Sequence, residues 1–185
     1  MADEHIGLWG IPSFFPTPRP IVEYMLYKIG INDDESILEP SAGKGDIARV
    51  IREVYPKNPL YVCEKDTLLR AILLLDSFKV VGSNIFTLQK TADVIIMNPP
   101  FSNNYQDADH FKRCYQLLNP GGRIISVMHE YTAYKHWDRE TYKPARFQNW
   151  LRGAGMKVEM LLPNSFSSGE FPTTTSTCLV WGTKQ

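Results

Sequence analysis

The sequence has few cysteines, no excess of charge of either sign and no long apolar run. Its three cysteines, Cys63, Cys114 and Cys178, are too far apart for a CxxC or Cys/His pattern that would bind a metal or form a redox pair. Lys and Arg number 20, as do Asp and Glu, so the overall charge indicates neither a nucleic-acid nor a membrane partner. No run approaches the roughly 20 apolar residues of a membrane span. A metal, redox or membrane protein is therefore not expected.

The first ten residues lack the basic segment and apolar core of a secretion signal. With the unpaired thiols, this predicts a cytoplasmic protein. A length of 185 residues fits one domain with a substantial core, so we expect a single domain over residues 1–185, with a flexible segment at 1–13.

Apolar, β-rich runs alternate with helical patterns along most of the chain. This alternation is typical of βαβ units and predicts an α/β fold with a parallel sheet covered on both faces. The first helix should begin near Arg19-Pro20 and end at Gly30. The following predicted strands are 36–39, 60–63, 79–81, 92–97 and 122–128. The helices predicted between them are 46–55, 67–77 and 107–118.

The carboxyl-terminal part departs from this alternation. The turn Asn119-Pro120-Gly121-Gly122 should precede the fifth strand, and a helix is predicted at 146–152. Two further strands, 157–162 and 177–181, are joined by a loop rich in Ser, Thr and Gly. Because that loop holds no crossover helix, these strands should pair antiparallel. The loop, 164–175, is interpreted either as a mobile substrate loop or as a simple connection.

Asn98-Pro99-Pro100-Phe101 directly follows the predicted strand 92–97. Open α/β sheets bind ligands at the carboxyl ends of their strands, and two prolines stiffen the backbone that carries the Asn98 amide. The pattern predicts a preformed, acceptor-rich site with an aromatic ring. A plain strand-ending turn is the alternative interpretation.

A glycine-rich turn, Ser41-Ala42-Gly43-Lys44-Gly45, follows the first strand and leads into a helix. Glycines there let the backbone approach a ligand, and the helix amino terminus adds N–H donors. The turn matches neither the dinucleotide fingerprint nor the phosphate loop well, so a nucleotide-like ligand without phosphates fits better.

Two further strand ends carry polar residues. Glu64 ends the second strand, where a carboxylate can accept both hydroxyls of a ribose; a solvated strand-end acid is the alternative. Asn84 and Ile85 follow the third strand and offer an amide and an apolar side chain to an adenine ring.

In their order and spacing these four features resemble those of class I S-adenosylmethionine-dependent methyltransferases. The closest resemblance is to amino-methyltransferases with the (Asn/Asp/Ser)-Pro-Pro-(Tyr/Phe/Trp) signature, above all adenine-N6 DNA methyltransferases of bacteria and phages. It runs from about Phe14 to Trp181. It implies a Rossmann-like fold, with a mostly parallel seven-stranded sheet, a carboxyl-terminal antiparallel hairpin and helices on both faces. It also implies S-adenosylmethionine as cofactor and a bacterial cytosol or a phage-infected cell as location.

The resemblance also implies roles for individual residues. The segment Phe14-Phe15-Pro16-Thr17-Pro18 looks like the cofactor segment that precedes the glycine turn in this family. The implied cofactor contacts are Thr17, Ser41, Gly43 and Gly45 around the methionine part, Glu39 on its amino group, Glu64 on the ribose, and Asn84 with Ile85 on the adenine. Asn84 departs from the Asp usual there, so its side-chain oxygen must make the bond to the adenine amino group.

The implied catalytic residues are Asn98, Pro99, Pro100 and Phe101. The Asn98 oxygen and the Pro99 carbonyl would accept the two N–H groups of the target amine, and Phe101 would stack on its base. The histidines show no metal spacing, and His129 is interpreted as local structure rather than as a catalytic base.

The substrate is expected to be nucleic acid, with DNA favoured over RNA. Segment 131–152 carries five basic residues against two acidic ones, with Tyr131, Tyr134, Trp137 and Tyr142 interleaved, which favours contact with phosphates and bases. A solvated helix face above packed aromatics is the equal alternative. No separate target-recognition domain is expected, which indicates relaxed specificity, a specificity subunit or structured RNA. Protein-glutamine methylation and a catalytically idle binding subunit remain the other hypotheses.

Overall fold

The computed structural model describes residues 16–101, 104–137, 139–163, 165–166 and 175–185. The predicted flexible segment 1–13, Phe14 and Phe15 of the predicted cofactor segment, and most of loop 164–175 lie outside these residues. Within them, no helix has the length and apolar character needed to cross a membrane.

Seven strands of the described chain form one mixed sheet. In chain order they are β1 (Ile37–Glu39), β2 (Leu60–Cys63), β3 (Lys79–Gly82), β4 (Ala92–Met97), β5 (Leu118–His129), β6 (Lys157–Met160) and β7 (Thr177–Thr183). Their order across the sheet is β3-β2-β1-β4-β5-β7-β6. The first five pair in parallel, whereas β7 is antiparallel to both β5 and β6. The predicted mostly parallel sheet with an antiparallel carboxyl-terminal pair is confirmed.

Helices cover both faces of the sheet. They are α1 (Arg19–Ile29), α2 (Asp46–Val54), α3 (Thr67–Leu75), α4 (Gln106–Leu117), α5 (Glu130–Ala133) and α6 (Lys143–Gly153). Alternate residues of β4 divide the core between these faces. Val94 and Ile96 pack with α1 and α2, whereas Ile95 and Met97 pack with α4 and α6.

Local sequence signals account for several helix boundaries. Pro20 lies in the first turn of α1, and Gly30, with φ of 59°, ends the helix by donating its N–H to the Leu26 carbonyl. Helix α6 begins at Lys143, three residues before the predicted start, because Pro144 suits a first turn. The single turn α5 was not predicted, since four residues are too few to show a helical period.

The predicted turn at Asn119-Pro120-Gly121-Gly122 was wrong, because these residues lie inside β5. Ala92 pairs with Leu118, but Val94 pairs with Arg123, so the extra residues bulge within a continuous strand. A side chain at Gly122 would come within 2.9 Å of the Asp93 carbonyl oxygen, which explains the glycine at this close approach.

The three cysteines are buried free thiols, as expected for reduced residues. Burial raises the pKa of Cys63 to about 11 and that of Cys178 to about 12. These side chains therefore act as small apolar groups in the core.

Candidate active site

A cavity of about 740 Å³ opens where β1, β2, β3 and β4 end. These strands are parallel, so the polar residues that follow them meet at one edge of the sheet. The predicted site residues that line the cavity are Thr17, Glu39, Ser41, Gly43, Glu64, Asn84, Ile85, Asn98, Pro99, Pro100 and Phe101. The structure thus brings together all the predicted site residues except Gly45.

Gly45 serves the packing of the glycine turn rather than the cavity surface. It precedes α2 with φ of 92°, and a side chain there would come within 2.9 Å of Leu73 and 3.3 Å of Phe78. Gly43, with φ of 55°, does line the cavity. Glycine is therefore needed at the two positions for different reasons. Gly43 shapes the surface that a ligand meets, and Gly45 lets α2 lie close to α3.

Glu64 joins the glycine turn to the loop before α3. One carboxylate oxygen accepts the Gly43 N–H at 2.7 Å, and the other accepts the Asp66 N–H at 2.8 Å. Each oxygen retains a second lone pair, which a ribose hydroxyl can use. These bonds hold the carboxylate at the cavity wall and make the solvated-acid interpretation less suitable.

Glu39 is almost fully buried at the end of β1 and lines the cavity. The backbone N–H of Ala48 donates to its carboxylate, but its Oε2 atom has no hydrogen-bond partner among the described residues. Burial, reinforced by the nearby Asp46 carboxylate, raises its pKa well above the ordinary value. A buried acid with an unpaired oxygen favours a cationic ligand group, which would pair with it and stabilise its charged form.

The Asn84 side chain, predicted to contact the adenine, already makes a hydrogen bond within the protein. Its side-chain oxygen accepts the Phe86 N–H at 2.9 Å and so shapes the loop after β3. The oxygen can still accept one further bond. Ile85 is buried in the core beneath the same cavity, and its carbonyl accepts a bond from Arg113 at 3.2 Å. Both residues are therefore fixed by contacts of their own.

The Asn98 amide is oriented by a residue 81 positions earlier in the chain. Its Nδ2 atom donates to the buried Thr17 hydroxyl at 3.0 Å. The donor end of the amide is therefore turned towards Thr17, and the acceptor end points away from it. Pro99 beside it is buried, whereas Pro100 is exposed. This arrangement is more specific than a plain strand-ending turn requires.

The Phe101 ring is held by its edge-to-face contact with His129. The two ring centroids are 5.9 Å apart, with the planes at 85°. The Nδ1 atom of His129 accepts the Tyr131 N–H at 3.1 Å, and burial lowers the pKa of the imidazole. Nδ1 is thus an acceptor that caps α5, in keeping with the predicted structural role of His129.

The sequence interpretation missed the wall that α4 contributes. Gln106, Asp109 and His110 line the cavity from that helix, together with Phe86 from the loop after β3. The His110 ring contacts Phe86 edge-on at 5.1 Å and lies 3.5 Å from the Ser41 hydroxyl. The helical spacing of Gln106, Asp109 and His110 was the available signal. A polar helix face usually meets solvent, so this spacing alone does not distinguish residues that line a cavity from residues on the surface.

Several solved methyltransferase structures share this fold. TrmN from Thermus thermophilus is 17% identical with a TM-score of 0.63, over 89% of this chain and 48% of that one. A modification subunit of a putative type I restriction enzyme from Vibrio vulnificus YJ016 is 18% identical with a TM-score of 0.68, over 93% and 45%. Magnesium protoporphyrin IX methyltransferase from Synechocystis PCC 6803, solved with bound SAM, is 10% identical with a TM-score of 0.62, over 90% and 77%. The chain spans about half the length of the first two.

The family comparison agrees with the fold. A search of curated protein sequences finds no significant match. The profile of the methyltransferase small domain, however, matches residues 23–149, which include the glycine turn, Glu64 and the Asn98-to-Phe101 segment. The cavity suits the cofactor of such enzymes, since the unpaired Glu39 oxygen fits an ammonium group and the Glu64 carboxylate fits ribose hydroxyls. The chain therefore belongs to the methyltransferase small domain family, with S-adenosylmethionine as its cofactor.

Proposed function

We propose that this protein transfers a methyl group from S-adenosylmethionine to the exocyclic amino nitrogen of an adenine in DNA. The observation that carries this proposal is the Asn98-to-Phe101 segment. Its amide is oriented by Thr17, and its ring lines the same cavity as Glu39 and Glu64. A site of this kind offers hydrogen-bond acceptors and an aromatic face to a planar amine.

The acceptors address the chemical difficulty of the reaction. An adenine amine is a weak nucleophile because its lone pair is delocalised into the ring. S-adenosylmethionine, when bound, supplies an electrophilic methyl group on sulfur. The Asn98 oxygen and the Pro99 carbonyl would accept hydrogen bonds from the two N–H groups of the amine. These bonds would stabilise the positive charge that develops on the nitrogen. The Thr17 contact supports this role, because it turns the acceptor end of the Asn98 amide away from Thr17.

The ring of Phe101 suits a base as the carrier of the amine. It is partly buried and fixed edge-on against His129, so it offers an aromatic surface to the cavity. A base in a duplex must leave its stack to enter such a pocket, at a cost of a few kcal/mol that stacking on Phe101 would partly offset.

A separate subunit that reads the target sequence is part of the proposal. The Vibrio vulnificus neighbour is named as one subunit of a putative restriction enzyme, which agrees with a role inside a larger assembly. Basic residues of segment 131–152 would supply contacts to phosphates that do not depend on sequence.

Three other functions would use the same cavity and are outcomes of one experiment. They are adenine-N6 methylation of structured RNA, methylation of a protein glutamine amide, and cofactor binding without catalysis. An amide nitrogen poses the same electronic problem as the adenine amine, so the Asn98 acceptors alone do not separate these substrates.

The test is incubation of the protein with methyl-labelled cofactor and separate DNA, RNA and protein pools. Digestion of the labelled pool should yield N6-methyladenine from DNA. The Asn98→Ala variant is the matched control: it should retain cofactor binding and lose methyl transfer. Label in RNA or in glutamine would replace DNA by that substrate, and no label in any pool would favour the idle subunit. Normal turnover by Asn98→Ala would refute the role of this residue.

A further inference from the structure

A connected set of aromatic rings runs from the cavity to the surface. Phe101 contacts His129, and the His129 ring stacks on Tyr131 with centroids 5.2 Å apart and planes at 28°. Tyr131 in turn contacts Trp137 at 6.1 Å. The residue proposed to hold the target base is therefore linked by ring contacts to side chains outside the cavity.

Trp137 is the centre of this set. Its ring contacts Tyr142 at 5.7 Å and Tyr105 at 6.3 Å, both edge-on. Its Nε1 atom donates to the Tyr131 carbonyl at 2.8 Å, which fixes the indole against α5. We call the four residues Tyr105, Tyr131, Trp137 and Tyr142 the aromatic strip.

The aromatic strip is not part of the core. None of its residues belongs to the hydrophobic clusters formed by the described residues, and the partly buried Tyr105 and Trp137 do not pack against them. Tyr131 is 37% exposed and Tyr142 is 42% exposed. The sequence left open contact with phosphates and bases or a solvated helix face above packed aromatics, and the exposure of Tyr131 and Tyr142 favours the first.

Tyr105 reaches the strip at a cost in backbone energy. Its φ of 54° lies in the left-handed region, which is unfavourable for an aromatic residue, and it directly precedes α4. Strain of this kind is concentrated at functional sites. The backbone conformation of Tyr105 is independent of the ring contacts, and it too indicates that the strip has a function.

Positive charge accompanies the rings. The Lys135 ammonium lies 4.0 Å from the centroid of Tyr131, and the Arg139 guanidinium lies 5.7 Å from that of Tyr142. These positive charges suit a nucleic acid strand. Bases that stack on the rings would place the phosphates of the same strand near the Lys135 and Arg139 side chains.

A second cavity of about 270 Å³ adjoins the strip between α4 and α6. Lys112, Lys143 and Arg146 line it, and Asp109 lines both this cavity and the larger one. Lys143 begins α6 directly after Tyr142 and donates to the Asn104 carbonyl at 2.8 Å and to Asp109 at 2.5 Å. The basic cavity is therefore next to both the strip and the catalytic cavity.

We propose that the aromatic strip and the basic cavity together bind an unpaired DNA strand, so that the enzyme takes its target adenine from single-stranded rather than duplex DNA. Bases beside the target pack against the exposed parts of the Tyr131 and Tyr142 rings, and phosphates lie on Lys112, Lys143 and Arg146. This inference rests on the proposed function, since it names the form of the substrate that enters the same site. Such a surface accepts any base, because every base has an aromatic face.

The test measures binding of a labelled single strand of roughly 15 nucleotides by fluorescence anisotropy. The double variant Tyr131→Leu/Tyr142→Leu keeps apolar bulk and removes the rings, so it should raise Kd about tenfold or more. Tyr27→Leu is the matched control, because Tyr27 is 82% exposed on α1, which packs on the other face of the sheet. Thermal unfolding of each variant should match that of the wild type.

The charge contribution is tested by salt dependence. Lys112→Gln/Arg146→Gln should lower the slope of log Kd against log salt by about 1.4, the value for two phosphate contacts to a single strand. Lys57→Gln, on the exposed loop before β2, should leave the slope unchanged. A duplex of the same sequence should bind more weakly than the single strand, and the Tyr double variant should affect it less.

Several results would overturn the inference: unchanged single-strand binding by the Tyr double variant, an equal loss in Tyr27→Leu, duplex binding as tight as single-strand binding, or tighter binding of the matching RNA strand. Methyl transfer measured on the same samples separates this from the proposed function. Wild-type single-strand binding that depends on the strip, without adenine methylation, would refute the proposed function and leave the strip as a binding surface only. Adenine methylation with an unchanged KM in the Tyr double variant would refute the inference alone.

Discussion

The side chains of Thr17 and Asn98 are joined by a hydrogen bond of 3.0 Å across 81 positions of sequence. Thr17 precedes α1, and Asn98 follows β4. The bond links the segment that the family resemblance assigns to the cofactor with the segment that it assigns to catalysis. Thr17 therefore has two possible duties, contact with the cofactor and orientation of the Asn98 amide, and they are experimentally separable.

Thr17→Val removes the hydroxyl and retains the shape of the side chain. If Thr17 orients Asn98, kcat should fall about tenfold, the equivalent of one lost hydrogen bond, while the Kd of the cofactor changes little. Thr17→Ser should restore kcat because it restores the hydroxyl. Steady-state kinetics and calorimetric titration of the cofactor measure the two quantities. A loss confined to cofactor affinity would instead assign Thr17 to the cofactor alone.

The contact between Thr17 and Asn98 also marks what sequence patterns leave undetermined. Strand ends were predictable because each β-rich run is bounded by turn residues, and parallel strands place their carboxyl ends at one edge. This reasoning brought Glu39, Glu64, Asn84 and Asn98 to one cavity. It says nothing about which side chains touch there, because contacts across long sequence separations depend on packing rather than on local pattern.

Other differences have equally local causes. The bulge at 119–122 resembles a turn in sequence, because Pro and Gly signal any interruption of regular pairing. His110 belongs to a helix face whose residues would be polar whether they met solvent or a ligand. Gly45 matched a ligand-binding turn, but the close approach of Leu73 accounts for it.

Phe101→Ala should mainly weaken substrate binding. We expect a loss of about 1–3 kcal/mol, seen as a higher KM for DNA, because the stacking surface is removed while Asn98 stays in place. Phe86→Ala is a useful comparison, since Phe86 lines the same cavity from the loop after β3, near the predicted adenine contacts of the cofactor. That variant should raise the KM for the cofactor instead. Equal effects of both variants on the KM for DNA would argue against a specific stacking role for Phe101.

Gly45→Ala should reduce stability. The new methyl group would lie 2.9 Å from Leu73, and φ of 92° is unfavourable for alanine, so we expect a loss of about 1–3 kcal/mol. This corresponds to about 2–4 °C in Tm for each kcal/mol. Gly121→Ala is the control for backbone strain alone, because φ there is 72° and nothing lies within 4 Å of the added atom. An equal loss in both variants would mean that the contact with Leu73 contributes nothing.

Glu39→Gln should have opposite effects on the stability of the free protein and on cofactor binding. Burial raises the pKa of Glu39 in the folded state, so its contribution to stability is fully present below the unfolded value near 4.5 and declines as pH rises through the folded pKa. The glutamine side chain carries no charge, so its burial has no charge-desolvation cost at high pH. Its amide oxygen can still accept the hydrogen bond from the Ala48 N–H. The Tm of the variant should therefore exceed that of the wild type at pH 8, and the difference should vanish towards pH 4.5.

For cofactor binding we expect the wild type, not the variant, to be favoured. A cationic amino group would stabilise the ionised Glu39 carboxylate, which is disfavoured in the free protein. The variant should bind S-adenosylmethionine about 30-fold or more weakly, as expected when one partner of a buried charge pair is neutralised. Glu23→Gln is the control, since that carboxylate is half-exposed on α1 and pairs with Arg19. Thermal unfolding across pH and calorimetric titration at pH 8 measure both effects. Unchanged cofactor affinity in Glu39→Gln would show that the unpaired Oε2 atom faces some other group than the cofactor's ammonium.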